Sequence, residues 1–216
     1  MSEFAVVGLG QFGRSVARNL ANQGASVLAI DLNQNLVDDI APYVDVAIRA
    51  DATDERTLDE LQLDTMGCVV VAIGANSIEG SVLTTALMTQ VGVPRVVARA
   101  MSKLHARVLR NIGADEVVNP EEEMGRRLAS HLAEPSIIEQ VELGDSQLAE
   151  VESPEAFVGK SLAELDIRNK YRVSIMAIQR ADHVIANPRA SEILESGDVL
   201  VIVGSSESVR SVAALA

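Results

Sequence analysis

Phe4-Ala5-Val6-Val7-Gly8-Leu9-Gly10-Gln11-Phe12-Gly13 is the stretch on which the fold turns. Its four leading apolar residues read as a buried strand, and Phe12, Val16 and Leu20 then recur at helical spacing. A G-x-G-x-x-G pattern alone is common in turns, but between a strand and a helix it has a specific use. Gly8 permits the tight turn, Gly10 lets a diphosphate approach the backbone, and Gly13 lets the helix pack close to the sheet. The opening of the helix then offers free N–H groups and a partial positive charge. The next strand, Ser26–Ile30, ends at Asp31, close to the ~20-residue separation at which a carboxylate accepts from ribose hydroxyls. The same carboxylate disfavours the 2′-phosphate of NADP. The plainer alternative is that Asp31 caps the following helix and the glycines are structural.

Outward from this loop, short apolar runs alternate with amphipathic ones. Strands are predicted at Phe4–Val7, Ser26–Ile30, Val46–Arg49, Val69–Ile73, Arg95–Ala98 and Glu116–Val118. Helices are predicted at Phe12–Gln23, Gln34–Ile40, Glu55–Leu61, Val82–Val91, Lys103–Ile112 and Met124–Leu132, with Gly24, Gly92 and Gly113 placed to end three of them. Such alternation indicates an α/β, Rossmann-like, doubly wound parallel sheet over residues 1–133. After Pro135 the pattern changes to strands Ile137–Leu143, Leu148–Glu152, Val173–Gln179 and Val199–Val203, with helices Leu162–Leu165 and Ser208–Ala214. Residues 134–216 therefore read as a small α+β domain.

Composition narrows the function. The 216 residues are 48% hydrophobic but only 2% aromatic, without Trp, so branched aliphatic side chains must do the packing. A net charge of −13 repels phosphate backbones and anionic lipid, which argues against nucleic acid as a partner. The single cysteine, Cys68, excludes an internal disulfide and fits a reducing cytoplasm. Apolar runs such as Cys68–Ile73 fall far short of the ~20 residues that span a bilayer. Direct membrane insertion is not expected, so any action at a membrane would pass through a partner. A dehydrogenase would also need a proton-transfer residue facing the nicotinamide. His105 and His131 lie on predicted helices and His183 in the predicted turn Ala181-Asp182-His183, none spaced as a catalytic pair. Cys68 opens an apolar strand and reads as a core thiol.

Several segments resemble the RCK family (regulators of potassium conductance), whose members join a TrkA-N half to a TrkA-C half. In the first half they are Gly8–Gly13, Asp51-Ala52-Thr53, Val71-Ala72-Ile73-Gly74-Ala75-Asn76, Ile112-Gly113-Ala114-Asp115 and Asn119-Pro120-Glu121. In the second they are Val158-Gly159-Lys160-Ser161-Leu162-Ala163-Glu164-Leu165, Pro188 and Gly197–Gly204. One unit of each half is similar to the KtrA type of subunit. The resemblance implies a non-enzymatic, cytoplasmic gating subunit, peripheral to the inner face of the cell membrane. It implies dimers assembled into an octameric ring under an integral-membrane potassium transporter of the KtrB/TrkH type. The ligand implied is ATP or ADP, with NAD or NADH as the alternative. A small NAD-dependent oxidoreductase and a stand-alone nucleotide sensor are the competing readings.

Carried over residue by residue, the resemblance assigns phosphates to Gly8, Gly10, Gln11, Phe12 and Gly13, and ribose to Asp31 with Leu32 beside it. Asp51, Ala52 and Thr53 fall to the adenine, and Ala72, Ile73, Gly74 and Asn76 to the opposite wall. Arg99 matches a basic residue that approaches the phosphates, or is a solvated strand-end arginine. Glu121 matches an acidic residue that meets its twin across a dimer, where Mg2+ or Ca2+ can bridge. Alternatively, Glu121, Glu122 and Glu123 form an acidic first turn that suits the helix dipole. Gln11 departs from the family's common Arg, which contacts the terminal phosphate, and Arg14 stands near enough in sequence to substitute. In the second half, Arg168, Ile175 and Pro188 match positions that bind cyclic di-AMP in some relatives, against a purely structural C-half.

Overall fold

The computed structural model describes residues 3–74 and 77–216. The chain divides into two compact units, Met1–Glu123 and Met124–Ala216.

In the first unit the strands are β1 (Glu3–Val7), β2 (Ser26–Asp31), β3 (Val46–Arg49), β4 (Cys68–Val71), β5 (Val96–Arg99) and β6 (Glu116–Val118). The helices are α1 (Gln11–Asn22), α2 (Gln34–Ile40), α3 (Glu55–Glu60), α4 (Ile78–Gln90) and α5 (Lys103–Asn111), followed by α6 (Pro120–Ala133). The six strands are parallel, in the order β3-β2-β1-β4-β5-β6. Alternate residues of the central strands feed two cores. Ala5, Val7, Ile30, Val69 and Val71 pack with Leu58, Met88 and Leu109 from α3, α4 and α5. Val6, Val27, Ala29, Cys68 and Val70 pack with Ala17, Val37 and Ile40 from α1 and α2. Burial on both faces is why these strands are continuous apolar runs without alternation. The chain winds outward from β1 to β2 and β3, then crosses to β4 on the other side of β1. That reversal opens a crevice at the carboxyl ends of β1 and β4.

The predicted elements of this unit are all present, with shifts at their ends. Cys68 opens β4 and its side chain is buried, as expected of a core thiol. The largest shifts are four residues at the starts of α4 and α6, and α4 begins at Ile78 and not Val82. Ser77 supplies the reason, because its hydroxyl accepts the Gly80 N–H at 3.0 Å and so adds a turn before the apolar run. On the outer surface the Arg18 guanidinium lies 3.8 Å over the ring of Tyr43.

The division between units falls inside α6, whereas the sequence reading closed its first domain at the end of that helix. Pro120 and the three glutamates start α6 earlier than its apolar positions alone indicate. None of its residues is buried, and Met124, Leu128 and Leu132 stand exposed along one stripe.

In the second unit an antiparallel sheet runs β10-β9-β11-β8-β7. Its strands are β7 (Ile137–Leu143), β8 (Ser146–Glu152), β9 (Ser174–Arg180), β10 (His183–Ala186) and β11 (Val199–Gly204). The helices are α7 (Leu162–Leu165), α8 (Ile167–Tyr171) and α9 (Ser206–Ala213). Val151, Ile178, Leu200 and Ile202 from the sheet meet Val209 and Val212 of α9 in one core. Tyr171 packs on Phe157 with ring centroids 5.9 Å apart. Two elements were not foreseen, α8 and β10. Asp166 breaks the chain between α7 and α8 in the left-handed conformation. Ala181 is also left-handed and Asp182 completes the turn, so His183 opens β10 and does not lie in the turn. The buried carboxylate of Asp198 ties this sheet to its loops. Arg180 Nε and Nη2 donate to its two oxygens at 2.8 Å each, and the Glu195 N–H donates at 2.8 Å.

Candidate functional site

The crevice in the first unit is built from strand ends. Backbone bonds continue past the strands and lock their tips. Gly8 N–H donates to Ile30 O at 2.8 Å, Ala72 N–H to Val7 O at 2.7 Å, and Ala50 N–H to Asp31 O at 3.1 Å. The segments after β1, β2, β3 and β4 are therefore fixed side by side.

Within that frame the three loop glycines differ. At Gly8 (φ +94°) a Cβ would sit 2.9 Å from Ile73 N, so only glycine lets the loop lie against the β4 tip. At Gly13 a Cβ would fall 1.8 Å from Gly8 O, which is how closely α1 crosses the turn. At Gly10 a Cβ would meet nothing within 4 Å. Two of the glycines are filled by the protein's own backbone, and the third faces open space.

Gly10 is also the N-cap of α1, and the helix has neither a capping side chain nor an acid in its first turn. The other helices of this unit contrast with it. Asn33, Asp54, Ser77 and Ser102 cap α2, α3, α4 and α5 through their side chains. The α1 terminus thus keeps its orphan N–H groups and dipole uncompensated.

Asp31 stands at the β2 tip with its carboxylate turned inward. Oδ2 accepts the Leu9 N–H at 2.6 Å, and Oδ1 accepts the Asn33 N–H at 2.8 Å. Each oxygen keeps a lone pair for a further donor. Leu32 beside it is exposed, and its carbonyl accepts from Arg49 Nε at 3.0 Å. Asp51 folds into a local turn, accepting the Thr53 N–H at 2.9 Å and the Thr53 hydroxyl at 2.7 Å. Those bonds, the hydroxyl first, hold its carboxyl below the usual carboxylate range. Ala52 between them is buried.

On the far side Arg99, the last residue of β5, leans toward the glycine loop. Its guanidinium carbon is 5.6 Å from the Phe12 ring centroid, and a Cβ on Gly74 would lie 3.6 Å from its Nη1. The side chain is only 13% exposed, so it is not a solvated strand-end arginine. Its Nε is buried without a hydrogen-bond partner among the described residues, while Nη2 pairs with the Glu121 carboxylate in the first turn of α6. Arg99 and Glu121, separate in role by the family resemblance, are therefore in direct contact. Arg14, by contrast, pairs with Asp39 of α2 at 3.2 Å, and Gln11 is exposed at the first position of α1.

Residues 8, 10–13, 31, 32, 51–53, 72–74 and 99 thus gather around the carboxyl ends of the sheet, and Asn76 lies outside the described residues. The orphan N–H groups, the open position at Gly10 and the neighbouring guanidinium fit a diphosphate-bearing nucleotide. For a divalent cation the fit is weaker. Among the described residues no group of three or more His, Cys, Asp or Glu side chains converges, and Glu121 is engaged by Arg99. In the second unit Arg168 is exposed on α8, Ile175 is half-buried on β9, and Pro188 follows β10. The histidines lie apart from the loop. His131 and His183 are exposed. His105 is buried in α5 with Nδ1 accepting the Met101 N–H at 3.3 Å, and burial pushes its pKa down.

Comparison with known proteins matches both units. A family model described as the TrkA-N domain covers residues 4–120, and one described as the TrkA-C domain covers residues 147–216. The chain is 38% identical to the Ktr system potassium uptake protein C of Bacillus subtilis (strain 168), over 94% of this chain and 92% of that one. It is 35% identical to the Ktr system potassium uptake protein A of the same organism, over 96% of this chain and 94% of that one. Among solved structures, the GsuK channel superposes with a TM-score of 0.71 at 18% identity, over 99% of this chain and 39% of that one. A GsuK channel bound to NAD does so with a TM-score of 0.68 at 18% identity, over 99% of this chain and 39% of that one. At that identity the likeness is one of fold. No described helix is long and apolar enough to cross a membrane. By both of its domains and by its relatives, the chain belongs to the RCK family of TrkA-N plus TrkA-C proteins, alongside the potassium-uptake proteins of the Ktr system.

Proposed function

We propose that this chain is a nucleotide-sensing regulatory subunit of a potassium-transporting membrane protein of the KtrB/TrkH type. In this reading the crevice takes the diphosphate of an adenine nucleotide, and an RCK ring of eight copies passes its occupancy to the ion path. One observation carries the ligand assignment. The α1 N-terminus is the only one among α1–α5 without a side-chain cap, and it opens on free space at Gly10. A helix end left bare beside a guanidinium suits an anion supplied from outside. The potassium-uptake relatives supply the physiological role.

Asp31 takes the ribose hydroxyls in this account, and Asp51–Thr53 borders the base. Arg99 is the guanidinium placed at the phosphates, because it lies over Phe12 and against Gly74, whereas Arg14 turns to Asp39 of α2 and Gln11 carries no charge. The cradle therefore reads the diphosphate that ADP, ATP and NADH share. Binding regulates only if the occupied and empty rings differ in affinity for the ligand.

The test is a calorimetric titration of the full chain with ATP, ADP and NADH, with and without Mg2+ or Ca2+. Light scattering measured alongside reports ring size. Binding of a diphosphate nucleotide by a large oligomer is expected. A monomer indifferent to all three nucleotides would overturn the proposal.

A further inference from the structure

We infer that Arg99 is an exchange point, shared in turn by Glu121 and by the phosphates of a nucleotide, so that filling the crevice frees the first turn of α6. The inference rests on the nucleotide reading above and adds a mode of regulation to it.

Three observations converge. First, the guanidinium has two neighbours of different kind. It pairs with Glu121 on one side, and on the other it lies against Gly74 and over Phe12, the residue that follows the bare start of α1. Second, its polar edge is not saturated. Nε is buried and unpartnered, so the group is positioned for one more acceptor than the described residues provide. Third, Glu121 is 56% exposed in its side chain, so its carboxylate can leave for water at little cost.

The electrostatics give the direction. A diphosphate on the glycine loop brings at least two negative charges to the neighbourhood of Arg99. A carboxylate held by the same guanidinium is then repelled, while a phosphate offers arginine the same bidentate geometry as a carboxylate. Arg99 stays with the phosphate and Glu121 is released.

The consequence falls on α6, which has no buried residue of its own. Its first turn is held by Glu121 on Arg99, Glu122 on Lys103, and the Asn119 side chain, which accepts the Glu122 N–H at 3.2 Å. Removing the first of these loosens the helix that leads from one unit into the next.

The test uses the full chain in EDTA with ADP as the probe, so that no cation can recruit Glu121. Glu121→Gln removes the competitor and is expected to tighten ADP binding about threefold to fivefold, the range of an exposed ion pair. Glu123→Gln removes the same charge from the same turn without touching Arg99 and is expected to change affinity less than about twofold. Hydrogen exchange at residues 122–125 should quicken when ADP is added to the wild type, and should already be quick in E121Q without it. Unchanged or weaker ADP binding in E121Q, or equal tightening in E123Q, overturns the exchange while leaving the nucleotide reading intact. A wild-type chain that binds none of ADP, ATP and NADH removes that reading and this inference together.

Discussion

Asp31 and Leu9 are joined across the mouth of the crevice, the carboxylate of one accepting the backbone N–H of the other at 2.6 Å. This bond lets the β2 tip set the shape of the glycine loop before any ligand arrives. It also gives Asp31 a structural part beside the ribose contact proposed for it. Asp31→Ala should then do two things. Two backbone N–H groups lose their acceptor, at about 1–3 kcal/mol if they stay unsatisfied. Nucleotide affinity should fall about tenfold or more, equivalent to about 1.4 kcal/mol per decade. Differential scanning calorimetry and isothermal titration separate the two. A variant that keeps its Tm but loses binding would leave only the ligand role.

The glycines should divide in the same experiment. Gly10→Ala points its methyl into open space and should leave Tm within about 2 °C of wild type, since surface changes lie within about 0.5 kcal/mol, while obstructing the diphosphate. Gly13→Ala drives a methyl against Gly8 O and should lower Tm markedly, because backbone must move. Equal Tm losses in the two variants would contradict the packing described for the loop.

In the second unit, Asp198 should dominate acid stability. Burial works against its charge, but Arg180 and the Glu195 N–H outweigh that and hold its carboxyl below the usual carboxylate range. A depressed folded pKa means the stabilisation is present above the unfolded value of about 4 and is lost as pH falls below it. Unfolding by denaturant at pH 7, 5 and 3 should show the loss confined to the most acidic step. Asp198→Asn should cost about 3 kcal/mol at pH 7 and flatten that dependence. A variant as acid-sensitive as the wild type would place the titrating group elsewhere.

Cys68 should behave as core. Burial pushes its thiol pKa up, with the Arg95 charge opposing. A thiol-specific reagent at pH 8 is expected to react only as fast as the first unit opens, and promptly in denaturant. Rapid labelling of the native chain would mean that the start of β4 is accessible.

Much of this architecture was legible because each signal was local. The parallel strands declared themselves as apolar runs, and Val46–Arg49, Glu116–Val118 and Ile137–Leu143 stand where the sequence placed them. What escaped was set by partners distant in sequence or by single backbone angles. α8 depends on Asp166 adopting a left-handed conformation that a side chain does not announce. β10 depends on the same at Ala181. Within the site, the spacing of the glycines and Asp31 pointed to the loop and its carboxylate. The Arg99–Glu121 pair joins positions 22 residues apart, and only the parallel packing of β5 beside β6 brings them together. Asp198 sits in a motif that marks the family, yet nothing local reveals that it is buried against Arg180.

The scarcity of aromatic side chains has a practical side. With no tryptophan and two tyrosines, Tyr43 in the first unit and Tyr171 in the second, each half of the molecule carries its own ultraviolet reporter. One sits under Arg18 at the surface, and the other lies against Phe157 in a core. Replacing either by phenylalanine would silence one half, so the melting of the two can be watched separately in the intact chain.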